Sequence, residues 1–249
     1  RNVSLRSVDF TKLCTASGGP LPDDDVAILM KGLQPIPQLQ RLRISECQVL
    51  TQCAAAIAPI LTHALQELRI VNAIHTPNER IIDLSHFIVP FTCTTTLHTI
   101  EFYNCGLDDV SMIYLSKGLQ HNRTIRRICL AFNQQITRPP VAFGDTVQHL
   151  DLFACDDRHL HHILPKYQDQ LQCNTTMQQI LLESKWYRKY PMLQYYLGLN
   201  RAGRRLMTCS DALGLWAHVL GRSSHQPDAL FYFLTQMPQL VRNGSSRIE

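Results

Sequence analysis

One internal pattern constrains this chain more than any other feature. Leu39, Leu42, Ile44, Cys47 and Val49 fall at the spacing L-x-x-L-x-L-x-x-C-x-L, and Leu97, Ile100, Phe102, Cys105 and Leu107 fall at it again. Ile125, Ile128, Leu130 and Asn133 repeat it with asparagine in the cysteine place, and Val147, Leu150, Leu152 and Cys155 follow. Weaker copies start at Leu5 (Val8, Phe10), at Leu65 (Leu68, Ile70, Ala73) and at Met177 (Ile180, Leu182). The steps from start to start are 34, 26, 32, 28, 22 and 30 residues. A repeat of this size is a supersecondary unit that cannot bury its apolar face alone, so the copies must stack. Each L-x-L predicts a short strand with alternate side chains pointing inward, and the Cys or Asn predicts a small side chain turned in to satisfy backbone groups at the bend.

Between strands the period changes to helical. Asp23–Leu33 carries apolar residues at 26, 29, 30 and 33, and Leu107–Leu119 carries them at 107, 110, 112, 115 and 119. The acidic runs Asp23–Asp25 and Asp108–Asp109 stand where helix N-termini favour negative charge. Strand followed by helix, repeated seven times, predicts an α/β solenoid with parallel strands on the concave face and helices on the convex face.

On these residues the chain resembles the leucine-rich repeat proteins of the ribonuclease-inhibitor-like subfamily. The stretch from Gly106 to Leu130, GLDDVSMIYLSKGLQHNRTIRRICL, carries the resemblance most fully. It implies a horseshoe over residues 1–183, with repeats starting near 5, 39, 65, 97, 125, 147 and 177. The resemblance also implies that Asn122 and Asn174, which begin N-x-T sequons, are punctuation between helix and strand rather than glycosylation sites; further sequons begin at Asn2 and Asn243. Pro139-Pro140 predicts a short or irregular helical part in the repeat that starts at 125.

From Glu183 to Arg222 the pattern is lost and the charge changes. Lys185, Arg188, Lys189, Arg201, Arg204, Arg205 and Arg222 against Glu183 and Asp211 give +5, although the whole chain carries only +4. Apolar residues continue at Leu193, Tyr196, Leu197 and Leu199, then Leu213, Leu215, Trp216, Val219 and Leu220, then Leu230, Phe231, Phe233 and Leu234, predicting two or three short helices. The segment Leu199-Asn200-Arg201-Ala202-Gly203-Arg204 resembles the tail of leucine-rich repeat proteins from microalgae. An open solenoid must cover its last apolar edge, so residues 184–241 are expected to be a helical C-terminal cap, with 242–249 frayed.

Composition narrows the function. The longest apolar run, Cys53–Leu61, contains Pro59 and is too short to span a bilayer, so no membrane is expected. Nine cysteines, an odd number without any C-x-x-C, predict free thiols in a reducing cytoplasmic or nuclear compartment. The chain begins at Arg1 and lacks a secretion-signal pattern over Arg1–Phe10, which leads us to expect sequence upstream. Hydrolase, zincin and P-loop motifs are absent, so no enzymatic activity and no cofactor is expected. Cys155, Asp156, Asp157, His159, His161 and His162 form the densest titratable cluster. It reads as a solvated helix start rather than a metal site, because Cys155 occupies the inward bend. Cys129 faces outward between Ile128 and Leu130 and is the one candidate nucleophile, without a well-placed histidine.

Strand alternation names the concave face as the surface for a partner protein. Its columns run Arg41, Arg43, Ser45; Glu67, Arg69, Val71; Thr99, Glu101, Tyr103; Arg127, Cys129, Ala131; His149, Asp151, Phe153; and Gln179, Leu181, Glu183. Arg41, Arg43, Arg69, Glu101, Tyr103, Arg127, His149, Asp151 and Phe153 are the expected contact residues. The core does not demand Tyr103 and Phe153 there, and aromatics flanked by arginines are the composition of binding hot spots. The expected function is a monomeric, non-enzymatic protein-interaction module. The resemblance implies one alternative, an activator of a small GTPase; others are the sensor end of a larger nucleotide-switch protein, or nucleic-acid binding through Arg201, Arg204 and Arg205. The last is not favoured, because the aromatics beside these arginines are spaced as helix core.

Overall fold

The computed structural model describes residues 5–73, 82–138, 145–155, 157–205 and 219–236. The segments that hold the sequons at Asn2 and Asn243, Pro139-Pro140, Trp216 and the tail 242–249 lie outside them. Seven strands, β1 (Ser7–Thr11), β2 (Arg41–Ser45), β3 (Glu67–Val71), β4 (Thr99–Tyr103), β5 (Arg127–Cys129), β6 (His149–Asp151) and β7 (Gln179–Leu181), form one parallel sheet in chain order. The register aligns Val8, Leu42, Leu68, Ile100, Ile128, Leu150 and Ile180 across it.

A parallel strand is followed by a crossover, and here every crossover contains a helix except the one from β5 to β6, where none occurs among the described residues. The helices between strands are α1 (Asp23–Leu33), α2 (Thr51–Ile57), α3 (Ile88–Cys93), α4 (Asp109–Leu119) and α5 (Asp157–Cys173), with 3-10 turns at Ala58–Thr62 and Leu84–Phe87. The inward residues of strands and helices share one continuous core that runs from Val26 to Leu197. Leu42, Ile44, Leu68, Ile70, Ile100, Phe102, Ile128 and Leu150 are all at most 1% exposed, and each such side chain contributes about 1.5–3 kcal/mol of burial. Gly118 lets α4 approach α3, because a Cβ there would sit 3.0 Å from that of Phe91.

Hydrogen bonds repeat as regularly as the apolar residues. The carbonyls of Arg6, Gln40, Gln66, His98, Arg126 and Gln148 each accept two N–H groups at the start of the following strand. At the other end, Lys12, Glu46, Asn72, Asn104, Phe132 and Ala154 all adopt positive φ, between 50° and 63°. They are 34, 26, 32, 28 and 22 residues apart, the spacings of the repeat itself. The N–H of Lys12, Glu46, Asn72, Asn104 and Phe132 extends the ladder by one bond, to the carbonyls of Ser45, Val71, Tyr103, Ala131 and Phe153. The next residue turns inward: Cys47, Cys105 and Cys155 donate Sγ–H to carbonyls of Ser45, Ile70 and Leu130. Asn133 replaces the thiol with an amide that donates to Phe102 and Leu130 and accepts from the N–H groups of Cys105 and Leu107.

Asn122 and Asn174 sit between helix and strand. Asn122 Oδ1 accepts from the N–H groups of Thr124 (2.8 Å) and Ile125 (2.7 Å), and its Nδ2 donates to the carbonyl of Phe91 (2.6 Å). Asn174 Oδ1 accepts from Thr176 and Met177 in the same way. The Asn122 amide is inside the protein, 3% exposed, where no glycan fits.

The acidic helix starts divide the work differently from a simple dipole rule. Asp108 caps its own helix through the N–H of Ser111 (2.9 Å), which is why α4 begins at Asp109 and not at Leu107. Asp23 makes no such cap; it accepts from the N–H groups of Leu50, Gln52 and Cys53, at the start of α2 in the next repeat.

After β7 come α6 (Ser184–Lys189), α7 (Pro191–Ala202), a short helical stretch at 219–223 and α8 (Pro227–Gln236). Gly203, with φ of 105°, closes α7 in the left-handed conformation that glycine adopts without strain. Trp186, Leu193 and Leu197 complete the main core, whereas Leu199, Ala202, Val219, Ala229 and Phe233 form a small second cluster. No helix among the described residues is long and apolar enough to cross a membrane.

Candidate recognition face

One face of the sheet is covered by helices, and the other carries the side chains that strand alternation assigns to it. Arg41, Arg43 and Arg127 are exposed, and Glu67, Arg69, Thr99, Glu101, Tyr103, His149 and Asp151 are half-buried on the same face. Two residues of the expected columns depart from it. Ser45 and Ala131 are 3% and 2% exposed. Ser45 turns its hydroxyl onto that of Thr11 (3.0 Å), and Ala131 is too small to project beyond its neighbours as the chain bends.

Electrostatics on this face are settled mostly from within. Arg69 pairs with Glu67 on its own strand and with Glu101 on the next, the latter at 3.4 Å. Arg43 reaches Asp9 at 4.0 Å, and Glu183 holds Lys185 at 3.0 Å. Asp151 accepts from the N–H of Phe153 (3.0 Å) and lies 3.7 Å from Cys129 Sγ. His149 shares a hydrogen bond with Gln179 (3.3 Å). Arg41 and Arg127 form no ion pair among the described residues.

Tyr103 and Phe153 do not act alone. Phe132 stands between them, its ring centroid 4.8 Å from that of Tyr103 and 5.7 Å from that of Phe153. Phe132 and Phe153 are 36% and 43% exposed, so a contiguous aromatic cluster faces solvent at the C-terminal ends of β4–β6. Sequence alternation missed Phe132 because the strand has ended there. Its φ of 63° turns the side chain onto the face, and the one usable sign was its place just before the inward-turned Asn133.

Cys129 is poorly suited to nucleophilic work. Burial, the largest influence, and the neighbouring carboxylates of Asp151 and Glu101 push its thiol up to about 12, against a smaller opposing backbone hydrogen bond. A nucleophilic cysteine requires the opposite shift. Asp156 and the side chains of Asp157 and His159 lie outside the described residues. Cys155 is spent on the carbonyl of Leu130, and no group of three His, Cys, Asp or Glu side chains is gathered for a metal among the described residues.

Two arginines of the C-terminal segment, Arg204 and Arg201, have intramolecular partners. Arg204, 7% exposed, donates to the carbonyls of Leu171 (3.1 Å) and Gln172 at the C-terminal end of α5. Arg201 donates to the carbonyl of Gln178 at 3.0 Å. An open cleft of about 570 Å³ lies beside β7, lined by Gln179, Gln194, Tyr195, Arg201, Gln226 and Asp228 among others. No protein-family model matches the chain, and no curated protein does.

Proposed function

We propose that the chain is a leucine-rich repeat horseshoe of the ribonuclease-inhibitor-like kind, with a helical C-terminal cap, that works as a non-enzymatic protein-recognition module. It takes its partner protein on the concave strand face. The repeat reading is supported by the aligned inward residues, the recurring left-handed position and the Cys or Asn that follows it. The observation that carries the function is the solvent-facing cluster of Tyr103, Phe132 and Phe153 on the same face as the unpaired Arg127. Such aromatics bury large area at little entropic cost and are the side chains on which binding energy concentrates. The raised thiol of Cys129 supports a surface that binds rather than reacts.

The test is affinity capture from native lysate with the wild-type chain and with a Phe132→Ala, Phe153→Ala variant whose circular dichroism matches it. Loss of a specific protein with the variant is the expected result. Equal recovery with both would remove this face as the site.

A further inference from the structure

We infer that the chain pairs with a second copy of itself along the free edge of β1, antiparallel, so that the two sheets continue into each other across a two-fold axis. This replaces the monomer expected from the sequence and leaves the concave aromatic cluster uncovered.

The two ends of the sheet are finished differently. At β7 the outward carbonyls of Gln178 and Ile180 accept from Arg201 and from the Tyr187 hydroxyl, so the cap occupies that edge. Among the described residues nothing does the same at β1. The Arg6 carbonyl and the Lys12 N–H bond to β2, and alternation along the strand turns the backbone groups of Val8 and Phe10 the same way. The N–H and C=O groups of Ser7, Asp9 and Thr11 therefore point away from the sheet. The apolar layer is open at the same place. Val8 and Phe10 are only partly buried, whereas Leu42 and Ile44, next in their rows, are at most 1% exposed. Leu13 and Leu21 are also partly buried, and Leu5 is 36% exposed. β1 carries no proline, and its unbroken register with β2 leaves no bulge to keep the edge from pairing.

A second copy fits because this edge is self-complementary. A two-fold axis normal to the sheet keeps both cores on the same side, and it sets the strands antiparallel. Centred on Asp9, it puts Ser7 opposite the partner's Thr11 and Asp9 opposite the partner's Asp9, so the outward N–H and C=O groups of both strands are all satisfied. Val8 then meets the partner's Phe10 on the core side, a branched–aromatic pair of the kind that stabilises neighbouring strands. A centre moved to Val8 or Phe10 loses one hydrogen-bonded pair. One contact opposes association: the two Asp9 carboxylates come side by side, each relieved only by its own Arg43 at 4.0 Å. Two five-residue strands make a small interface, so a dissociation constant on the order of 10 µM is expected.

Sedimentation equilibrium of the full chain over about 1–200 µM brackets that value. It compares wild type with Ser7→Pro, Asp9→Asn and Phe132→Ala, each shown to melt cooperatively. Wild type is expected to be a reversible monomer–dimer. Ser7→Pro removes an outward N–H without touching the β1–β2 ladder, and by symmetry removes it twice, so it should weaken the dimer at least about tenfold. Asp9→Asn should tighten it roughly twofold to fivefold by removing the like charges. A general loss of stability would move both variants in one direction. Phe132→Ala should leave the constant unchanged. Wild type and Asp9→Asn monomeric throughout would leave the edge to a strand from elsewhere and overturn the inference. A dimer that Ser7→Pro leaves unmoved would put the contact away from β1, and one weakened by Phe132→Ala would put it on the concave face; either overturns the inference as well. Weakening by Ser7→Pro without tightening by Asp9→Asn would overturn the Asp9-centred register.

Discussion

Arg201 donates its Nη1 proton to the carbonyl of Gln178, at the place where six earlier carbonyls of the same row each take two backbone N–H groups from the following strand. Its neighbour Asn200 does likewise one row away. Asn200 donates to the carbonyls of Asn174 and Met177, as Thr146 donates to those of Asn122 and Ile125 and Thr96 to those of His63 and Leu65. Side chains of α7 thus reproduce the hydrogen bonds of a further repeat, which satisfies the last strand without extending the sheet. Arg204 completes the set at the negative end of the α5 dipole.

These arginines are therefore stability residues. Arg204→Ala is expected to cost about 2–3 kcal/mol, since it removes a buried charged donor from two carbonyls, and Arg201→Ala, which is exposed, about 1 kcal/mol. Arg204→Lys should not restore the loss, because an ammonium lacks the planar fork. Urea unfolding of the variants measures this. A nucleic-acid role would instead show as weakened oligonucleotide binding with unchanged unfolding midpoints.

The left-handed row supplies an independent prediction. Ala154 holds φ at 54°, and non-glycine residues there are strained by about 1–3 kcal/mol. Ala154→Gly removes that strain at a smaller cost in unfolded-state entropy, so a gain of about 0.5–1 kcal/mol is expected. Thermal melting checks it; an unchanged or lower Tm would mean that the conformation is not strained. Phe132→Gly should show no such gain, because it also deletes the ring packed against Tyr103 and Phe153.

Thiol labelling reads the inward column. Cys14, Cys93 and Cys173 are exposed, Cys129 is partly so, and Cys47, Cys53, Cys105 and Cys155 are buried. Burial pushes the buried thiols upward, Cys155 to about 12. At pH 8 a thiol reagent is expected to modify Cys14, Cys93 and Cys173 first. Cys129 follows at least tenfold more slowly despite its exposure, since its thiolate is scarce. The buried four react only on unfolding. Mass spectrometry of partly labelled protein resolves the order, and early modification of Cys105 would contradict the bend hydrogen bonds.

The strands were legible because a buried parallel ladder favours large apolar side chains at its inward places, and Leu42, Ile100, Phe102, Ile128 and Leu150 announce them. The bend was legible for Cys47, Cys105 and Asn133, small side chains with a hydrogen-bonding atom. The left-handed row was not. Lys12, Glu46, Asn72, Asn104, Phe132 and Ala154 share a backbone conformation and no chemistry, so Phe132 was missed from the aromatic cluster. Strict alternation puts Ser45 and Ala131 on the face, and it ceases to hold where the chain bends. The capping roles of Asn200 and Arg201 depend on atoms more than twenty residues away, beyond any local rule.

The same distance hides the role of Asp109. Its carboxylate accepts from the N–H groups of Thr137 and Arg138, each at 2.7 Å, and from the Thr137 hydroxyl, so it ties α4 to the chain that follows β5. This repeats the reach of Asp23 to α2. Burial, the largest single influence, pushes the Asp109 carboxyl up, but the three hydrogen bonds and the charge of Arg138 together hold it below the ordinary carboxylate range. A group depressed in the folded state contributes stability that is complete above its unfolded pKa, about 3.9, and fades as pH falls through the lower folded value. Asp109→Asn retains acceptor geometry but loses the charge, and should cost about 1 kcal/mol at pH 7; Asp109→Ala, which orphans two N–H groups, about 2–3 kcal/mol. Below about pH 3 the wild type should lose its advantage over Asp109→Asn. Urea titrations at pH 7 and pH 3 decide it: a difference between the two proteins that stays constant with pH would show that the ionised carboxylate is not what joins these repeats.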